Sequence, residues 1–477
     1  VIKKLANGMI FTAIGKFSNL GVNLIVSAIL SRILTPEDYG VVAIIQVFII
    51  FFQMLVEAGF GPAIIQNKTL TSKDISAIFN FSIILAIFMA IAFGLFGNFI
   101  SFFYNNPIYI TLAWVQSIAV LFSGLNVVPT AILNKEKKFK IVNLVQVGAS
   151  IIGGIAGIMS AIYGLNVYSL LVSAIIISII TFVCNLSMSK INFSMSLNVD
   201  SVRKITSFSI NQFTFNLINY FSRNADNILV GKVIGPVALA NYSKAYQLLM
   251  MPNSILLGII NPVMQPILSD YQDDVRKVEK FYLELIHFLA LFGVSLSFFL
   301  SFFSQEIIFF IFGDQWQEAV IPFRILSLTV WIQITLSSSG GVFQALNKSR
   351  ELLINGILAS FILVGSILIG VFTKNLNILA VTLSLGFFAN FFMSFFRLMK
   401  YGFNSQLSKM LIQFKTPFAI GVMSLCVSFF SKLALNNFSN SFIRLILYGI
   451  LYAVCLLIFL LAFGEIKRLK HFIRNFN

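Results

Sequence analysis

The chain has 477 residues, 58% hydrophobic and only 10% charged, with a mean hydropathy of +0.92 and a formal net charge of +16. A soluble domain carries about a quarter charged residues, so a soluble enzyme or binding module is excluded and lipid is the solvent. Cys184, Cys426 and Cys455 all fall in apolar stretches and read as small packing residues, with no disulfide or metal framework.

Fourteen apolar stretches follow in chain order, at 9–33, 41–65, 76–100, 107–133, 142–163, 166–188, 205–234, 237–268, 281–312, 320–346, 352–372, 376–398, 411–433 and 441–463. Each can cross a hydrocarbon core of roughly 30 Å at about 1.5 Å per residue. The runs are continuous rather than alternating, which predicts helices and not a β-barrel. The longest connections, 189–204 and 269–280, are too short to hold a soluble catalytic domain. The opening VIKKLANGMIFTAIGKF lacks a short apolar core followed by a small-residue cleavage site, so it reads as an uncleaved first span. With an even number of spans the termini share a side. That side carries 24 Lys and Arg, including the Lys135, Lys137, Lys138 and Lys140 cluster, against 4 on the other, Arg32, Lys232, Lys374 and Lys432. The bias places both termini in the cytoplasm. The basic balance is then accounted for by orientation and by anionic lipid headgroups, with no nucleic-acid partner.

An internal repeat divides the chain. SRILTP at 31–36 matches GKVIGP at 231–236; at the same spacing Pro62 meets Pro262 and Asp74 meets Asp274, and LNK at 133–135 returns at 346–348. The expected architecture is an all-α polytopic membrane protein of about 14 transmembrane helices. Residues 1–188 form one six-helix lobe, 189–204 a cytoplasmic linker, 205–400 a second six-helix lobe, and 401–477 two extra helices with a basic tail. Each half enters from the same side, so the repeat is parallel, with a pseudo-two-fold along the membrane normal. Two facing lobes that rock to expose a central cavity make a transporter architecture.

Polar side chains recur at helical spacing within the apolar runs. Span 7 carries Gln212, Asn216, Asn219, Arg223 and Asp226 on one face, and span 1 carries Thr12, Lys16, Asn19 and Asn23 at the equivalent positions. A charge at the bilayer centre costs roughly 3 kcal/mol, so such residues face a partner or water. They either line a wet cavity or bond neighbouring helices together, and the matched faces in both repeats favour the cavity. Span 10 adds a weaker stripe, Gln333, Ser337, Gly340 and Gln344. Lys244 and Arg324 are weaker cavity candidates that lie near enough to the outer surface to snorkel. Glu57, just before the Gly59, Gly61 and Pro62 break, fits either a proton or cation site or a cap on a broken helix. His287 reads as a packed histidine, and Arg32 and Lys232 as helix-end anchors.

LTPEDYGVVAI (34–44), EAGFGPAIIQ (57–66) and DNILVGKVIGPVALANYSKAYQL (226–248) resemble the polysaccharide flippases, the Wzx-type exporters of lipid-linked oligosaccharides. That family shares a superfamily with the multidrug-and-toxin (MATE) extruders and the lipid II flippases. The resemblance implies a non-enzymatic transporter of the bacterial inner membrane. Its substrate would be a polyprenyl-diphosphate oligosaccharide, turned to the outer leaflet for assembly of O-antigen, capsule or another surface glycan. Surface-glycan polymerases or glycosyltransferases would be its partners beside membrane lipids. Lys16 and Arg223 would bond the diphosphate and the Asn and Gln residues the sugar hydroxyls. No cofactor and no ATP-binding loop are expected; Na⁺ or H⁺ coupling would run through Asp226 or Glu57, with the membrane potential as the other energy source. The alternatives are a cation-coupled multidrug antiporter, which calls for a more acidic cavity, and a membrane-bound glycan polymerase or acyltransferase. The enzyme would need a large outer loop or a histidine-centred site, and the chain has only His287 and His471.

Overall fold

The computed structural model describes residues 2–57, 60–67, 70–191, 220, 224–270, 274–434 and 441–475, which hold helices and no strand. Eleven helices are long and apolar enough to cross a membrane, and a pair bent by 52° at a short break makes a twelfth. These twelve coincide with all the expected spans except the seventh and eighth. The eighth is the 35-residue helix Pro236–Asp270; the seventh lies largely outside the described residues, with 224–233 helical. The chain is an all-α, multi-pass membrane protein. It divides into two compact units, Val1–Ala240 and Asn241–Asn477.

The first unit contains α1 (Ile2–Ile33), α2 (Pro36–Glu57), α3 (Phe60–Gln66), α4 (Ser72–Tyr104), α5 (Ile108–Leu125), α6 (Val127–Lys135), α7 (Phe139–Ile162) and α8 (Tyr168–Ser189). Helix starts are written locally. At α2, Thr35 and Asp38 close on each other: the Thr35 hydroxyl and N–H both donate to Asp38 Oδ2, at 2.8 and 3.0 Å, and the Asp38 N–H returns to Thr35 Oγ1 at 3.2 Å. Pro36 between them gives up an N–H that has no intrahelical acceptor there. The string LTPED is thus a capping box. Thr71 and Asp74 repeat the device at α4. Span 4 is broken at Asn126, between α5 and α6. There Asn185 of α8 donates to Asn126 Oδ1 at 3.0 Å and to Thr130 Oγ1 at 3.1 Å, knitting the interrupted helix to its neighbour.

The remaining helices are α9 (Pro236–Asp270), whose first turn lies in the first unit, α10 (Val275–Phe302), α11 (Ser304–Phe312), α12 (Gln317–Ser327), α13 (Val330–Ser337), α14 (Ser339–Ala345), α15 (Ser349–Phe372), α16 (Leu376–Arg397), α17 (Leu407–Ile412), α18 (Lys415–Ala434), α19 (Ser441–Ala462) and α20 (Glu465–Asn475). Expected span 9, 281–312, is two helices, α10 and α11, and expected span 10 is bent by 52° between α12 and α13, at Leu328 and Thr329, with a single-residue turn at Ser338 between α13 and α14. Trp331 anchors this unit's core, with its ring centroid 5.0 to 5.9 Å from those of Phe388, Phe391, Phe414 and Phe418.

The repeat is visible in element lengths. α7 and α15 are both 24 residues, starting at Phe139 and Ser349, and α8 and α16 are both 22, starting at Tyr168 and Leu376. The turns that lead into α7 and α15 are the same turn. Lys138 N–H donates to the Leu133 carbonyl and Lys348 N–H to the Phe343 carbonyl, each at 2.8 Å, with Lys137 and Asn347 at φ of 60° and 55°. The interruptions at Asn126 and Ser338 lie upstream of these turns, before the nine-residue α6 and the seven-residue α14.

Candidate functional site

The polar stripe of α1 does not act as one surface. Asn19 is half-buried and its Oδ1 accepts a hydrogen bond from Ser150 Oγ of α7 at 2.7 Å. Gly15, one turn earlier, lies so close to α7 that a Cβ there would sit 2.5 Å from Asn143 Cβ, and Val26 crowds Gly154. Those residues form the packing face. Lys16 and Asn23, seven residues apart and beside that face, are exposed. Asn19 therefore serves as interhelical glue, while Lys16 and Asn23 present a cation and an amide outward.

Gln212, Asn216, Asn219 and Arg223 of span 7 lie outside the described residues. Asp226 is described: it is buried, 7% exposed, and its Oδ1 accepts the Asn227 N–H at 2.8 Å. The surrounding segment is held within the first unit. The Tyr220 hydroxyl donates to the Val47 carbonyl, and the Tyr104 hydroxyl to the Ile228 carbonyl at 3.3 Å. Lys232 reaches the Phe103 carbonyl and lies 4.8 Å from the Phe103 ring centroid, an anchor for the helix end. Two of the signature strings also meet here. Gly40 of LTPEDYG faces the Pro236 backbone, so that a Cβ at Gly40 would come within 3.0 Å of Pro236 Cα and closer still to its carbonyl.

The weaker candidates are dispersed. Lys244 does not snorkel: it is 3% exposed, with its ammonium 4.6 Å from the Phe312 ring centroid and 5.2 Å from that of Trp316. Aromatic faces take the place of water around the cation. Arg324 is exposed and donates through Nε to Ser304 Oγ at 3.0 Å. Gln333 is buried and donates to Thr329 Oγ1 at 3.3 Å, whereas Gln344 is exposed. The turn at Ser338 lies between these two glutamines. Glu57 is the exposed last residue of α2.

One polar constellation escaped the sequence reading. His287, 1% exposed, is bracketed by acceptors and by a guanidinium: its Nδ1 is 2.9 Å from the Gln413 carbonyl and its Nε2 is 2.8 Å from Glu465 Oε2 and 3.1 Å from Arg468 Nη1. Arg468 also donates to both carboxylate oxygens of Glu284, each at 2.9 Å, and to Gln413 Oε1 at 3.2 Å. The Glu284 pair raises the Arg468 pKa above its ordinary value. Two residues three apart on α10 thus grip two residues three apart on α20. The available signal was the run EIKRLKHFIRN following the last span, together with Glu284 as a lone acid one turn before a histidine. No group of three His, Cys, Asp or Glu among the described residues could hold a metal ion.

A family model described as "Polysaccharide biosynthesis protein" matches residues 29–321. The chain is 21% identical over 447 residues to "Lipopolysaccharide biosynthesis protein WzxC" of Escherichia coli (strain K12), covering 90% of this chain and 87% of that one. It is also 21% identical over 360 residues to "Teichuronic acid biosynthesis protein TuaB" of Bacillus subtilis (strain 168), covering 73% of each. Among solved structures it is similar to "Lipid II flippase MurJ, inward closed conformation", with a TM-score of 0.74 and 14% identity over 96% of this chain and 100% of that chain. That likeness, over nearly all of this chain, shows the fold.

Proposed function

The chain belongs to the polysaccharide biosynthesis protein family, and from that premise we propose that it is a flippase. It turns polyprenyl-diphosphate-linked oligosaccharides from the cytoplasmic to the outer leaflet of the bacterial inner membrane, for assembly of a surface polysaccharide. The observation that carries this reading is the chain-long fold likeness to a lipid II flippase, joined to relatives named for lipopolysaccharide and teichuronic acid biosynthesis. The protein moves its substrate without altering it chemically.

The physical problem is to carry a diphosphate and a hydrophilic glycan through hydrocarbon while the polyprenyl tail stays in it. A polar site exposed alternately to the two sides solves it. The exposed Lys16 and Asn23 of α1, with Arg223 of span 7, supply cationic and amide donors suited to phosphate oxygens and sugar hydroxyls. This cationic character favours an anionic substrate over the organic cations of a drug antiporter. Both termini lie on the cytoplasmic side in this reading, following the distribution of Lys and Arg. Outward movement of negative charge across an inside-negative membrane releases about 2.3 kcal/mol per charge per 100 mV, so the potential alone can drive the cycle.

Arg223→Ala tests the site: export of the glycan should be abolished while the protein remains folded in the membrane, and near-normal export would remove Arg223 from the mechanism. Mass spectrometry of the protein extracted in lipid discs tests the substrate, with a co-purifying polyprenyl-diphosphate glycan as the expected result. Transport into vesicles that stops when the Na⁺ and H⁺ gradients are collapsed at constant potential would show ion coupling, with Asp226 and Glu57 as the residues to examine.

A further inference from the structure

We propose that α20 is a membrane-surface strap whose outer face, Lys467, Lys470 and Arg474, binds the headgroups of anionic phospholipids. The inference does not depend on which glycan the protein carries.

The helix is divided by its periodicity. Glu465, Arg468 and Phe472 recur at steps of three and four and form a docking face. Glu465 and Arg468 engage His287 and Glu284, and the Phe472 ring lies 5.3 Å from the rings of both Phe281 and Phe288 on α10. Lys467, Lys470 and Arg474 recur at steps of three and four on the opposite side, where all three are exposed. None of them forms an ion pair among the described residues, and Glu465, the only acid of the helix, is consumed by the dock. Between the two faces lie the half-buried Ile466 and Leu469, which is 40% exposed. A helix with one docked, one apolar and one basic side, placed along a bilayer surface, has its apolar side toward the acyl chains and its cations among the headgroups.

Two observations set it at that surface. α20 follows the candidate span Ile443–Ala462 after only Phe463 and Gly464. Gly464 has φ +73°, which L side chains rarely adopt, and its carbonyl accepts the N–H groups of Lys467 and Arg468 to start the new helix. The dock on α10 then falls just inside the exposed charged turn of Arg276, Lys277 and Lys280, where that helix enters the apolar stretch. The chain therefore leaves the membrane on α19 and turns along α10 at the depth of the headgroups. The Glu284–Arg468 and His287–Glu465 contacts hold the basic side in a fixed orientation, which a free tail would lack.

Full-length protein reconstituted into lipid discs supplies the test, by hydrogen exchange of residues 465–475. Discs containing phosphatidylglycerol should slow exchange of this segment relative to phosphatidylcholine discs, by a factor between roughly ten and a hundred for three cations at the surface. Added salt should shrink the difference. A Lys467→Gln, Lys470→Gln, Arg474→Gln variant should lose the dependence on phosphatidylglycerol while protection of 275–302 stays unchanged. Arg468→Ala, which breaks the dock, should raise exchange of α20 in both kinds of disc. Equal exchange of the unmodified protein in the two lipids, the outcome expected if the basic face serves a protein partner, would overturn the proposal. So would a full phosphatidylglycerol effect in the triple variant. Either failure would leave glycan export by the same protein intact and so would not bear on the flippase reading.

Discussion

Gly40→Ala is the sharpest test of how the signature strings work. A Cβ at position 40 would lie within 3.0 Å of Pro236 Cα and closer to the Pro236 carbonyl carbon and oxygen. All three are backbone atoms at the start of α9, so no side chain can swing aside. Real Cβ atoms essentially never come closer than 3.0 Å, and with the Pro236 carbonyl oxygen 2.1 Å from the added Cβ the two backbones must separate by nearly an ångström. Forcing an extra methyl into a packed site costs about 1 to 3 kcal/mol, whereas Gly→Ala in an open helix interior is worth up to about 1 kcal/mol in favour of Ala. Gly21 of α1, with nothing within 4 Å of its added Cβ, isolates that second effect. Purified protein in detergent should therefore give opposite results for the two variants. Gly40→Ala should lower the apparent melting temperature by several degrees and shorten the half-life of folded protein at fixed temperature, while Gly21→Ala should match or exceed the parent. The half-life matters because unfolding of a polytopic protein is commonly irreversible. If Gly40→Ala melted with the parent, the close approach of the two strings would be wrong, and with it the reading of that glycine as a spacer between α2 and α9.

Three further outcomes are expected. Asn185→Ala removes the amide that bridges the break in span 4; at 2% exposure it should cost about 1 to 3 kcal/mol, read as a lower melting temperature, and an unchanged value would show that the bridge is idle. Trp316→Ala removes a buried ring and one of the two aromatic faces over Lys244, for a loss of about 3 to 5 kcal/mol. Trp316→Phe keeps an aromatic face and should lose clearly less; equal losses would show that the face is unimportant. Asp274 caps α10 and its pKa is lowered, chiefly by the Lys277 backbone N–H, so its contribution is present above the ordinary Asp range and is lost as pH falls through the lowered value. Hydrogen exchange at 275–278 should rise on acidification through that window, and Asp274→Asn should flatten the change.

The fold was legible because lipid imposes one strong requirement, that backbone polar groups be satisfied within an apolar segment, and continuous runs of Ile, Leu, Phe and Val report it directly. Helix starts such as Thr35-Pro36-Glu37-Asp38 carry an equally local signal, since the capping partners lie three residues apart, but the apolar runs alone start that span only at 41 and miss it. The site is a different kind of problem. Helical spacing tells which residues share a side of α1, but not what that side meets. Asn19 and Lys16 are neighbours in the same stripe, yet Asn19 bonds Ser150 while Lys16 is exposed, because the packing face of α7 is drawn by Asn143 and Gly154, far away in sequence. Lys244 shows the same limit. Its distance from the end of an apolar run suggested snorkelling, whereas in the structure it is buried against Phe312 and Trp316, some seventy residues later in the chain. The break at Ser338 left little trace either, since Ser337, Ser338 and Ser339 each turn a hydroxyl back onto a carbonyl three residues earlier and so pass unnoticed in a hydrophobic span. The repeat offers a way past this limit. Once the interruption at Asn126 is known in the first half, the turn at Lys137 and Lys138 and its counterpart at Asn347 and Lys348 mark a second interruption shortly before α15, and the LNK strings, three residues out of register with these turns, point only to its neighbourhood.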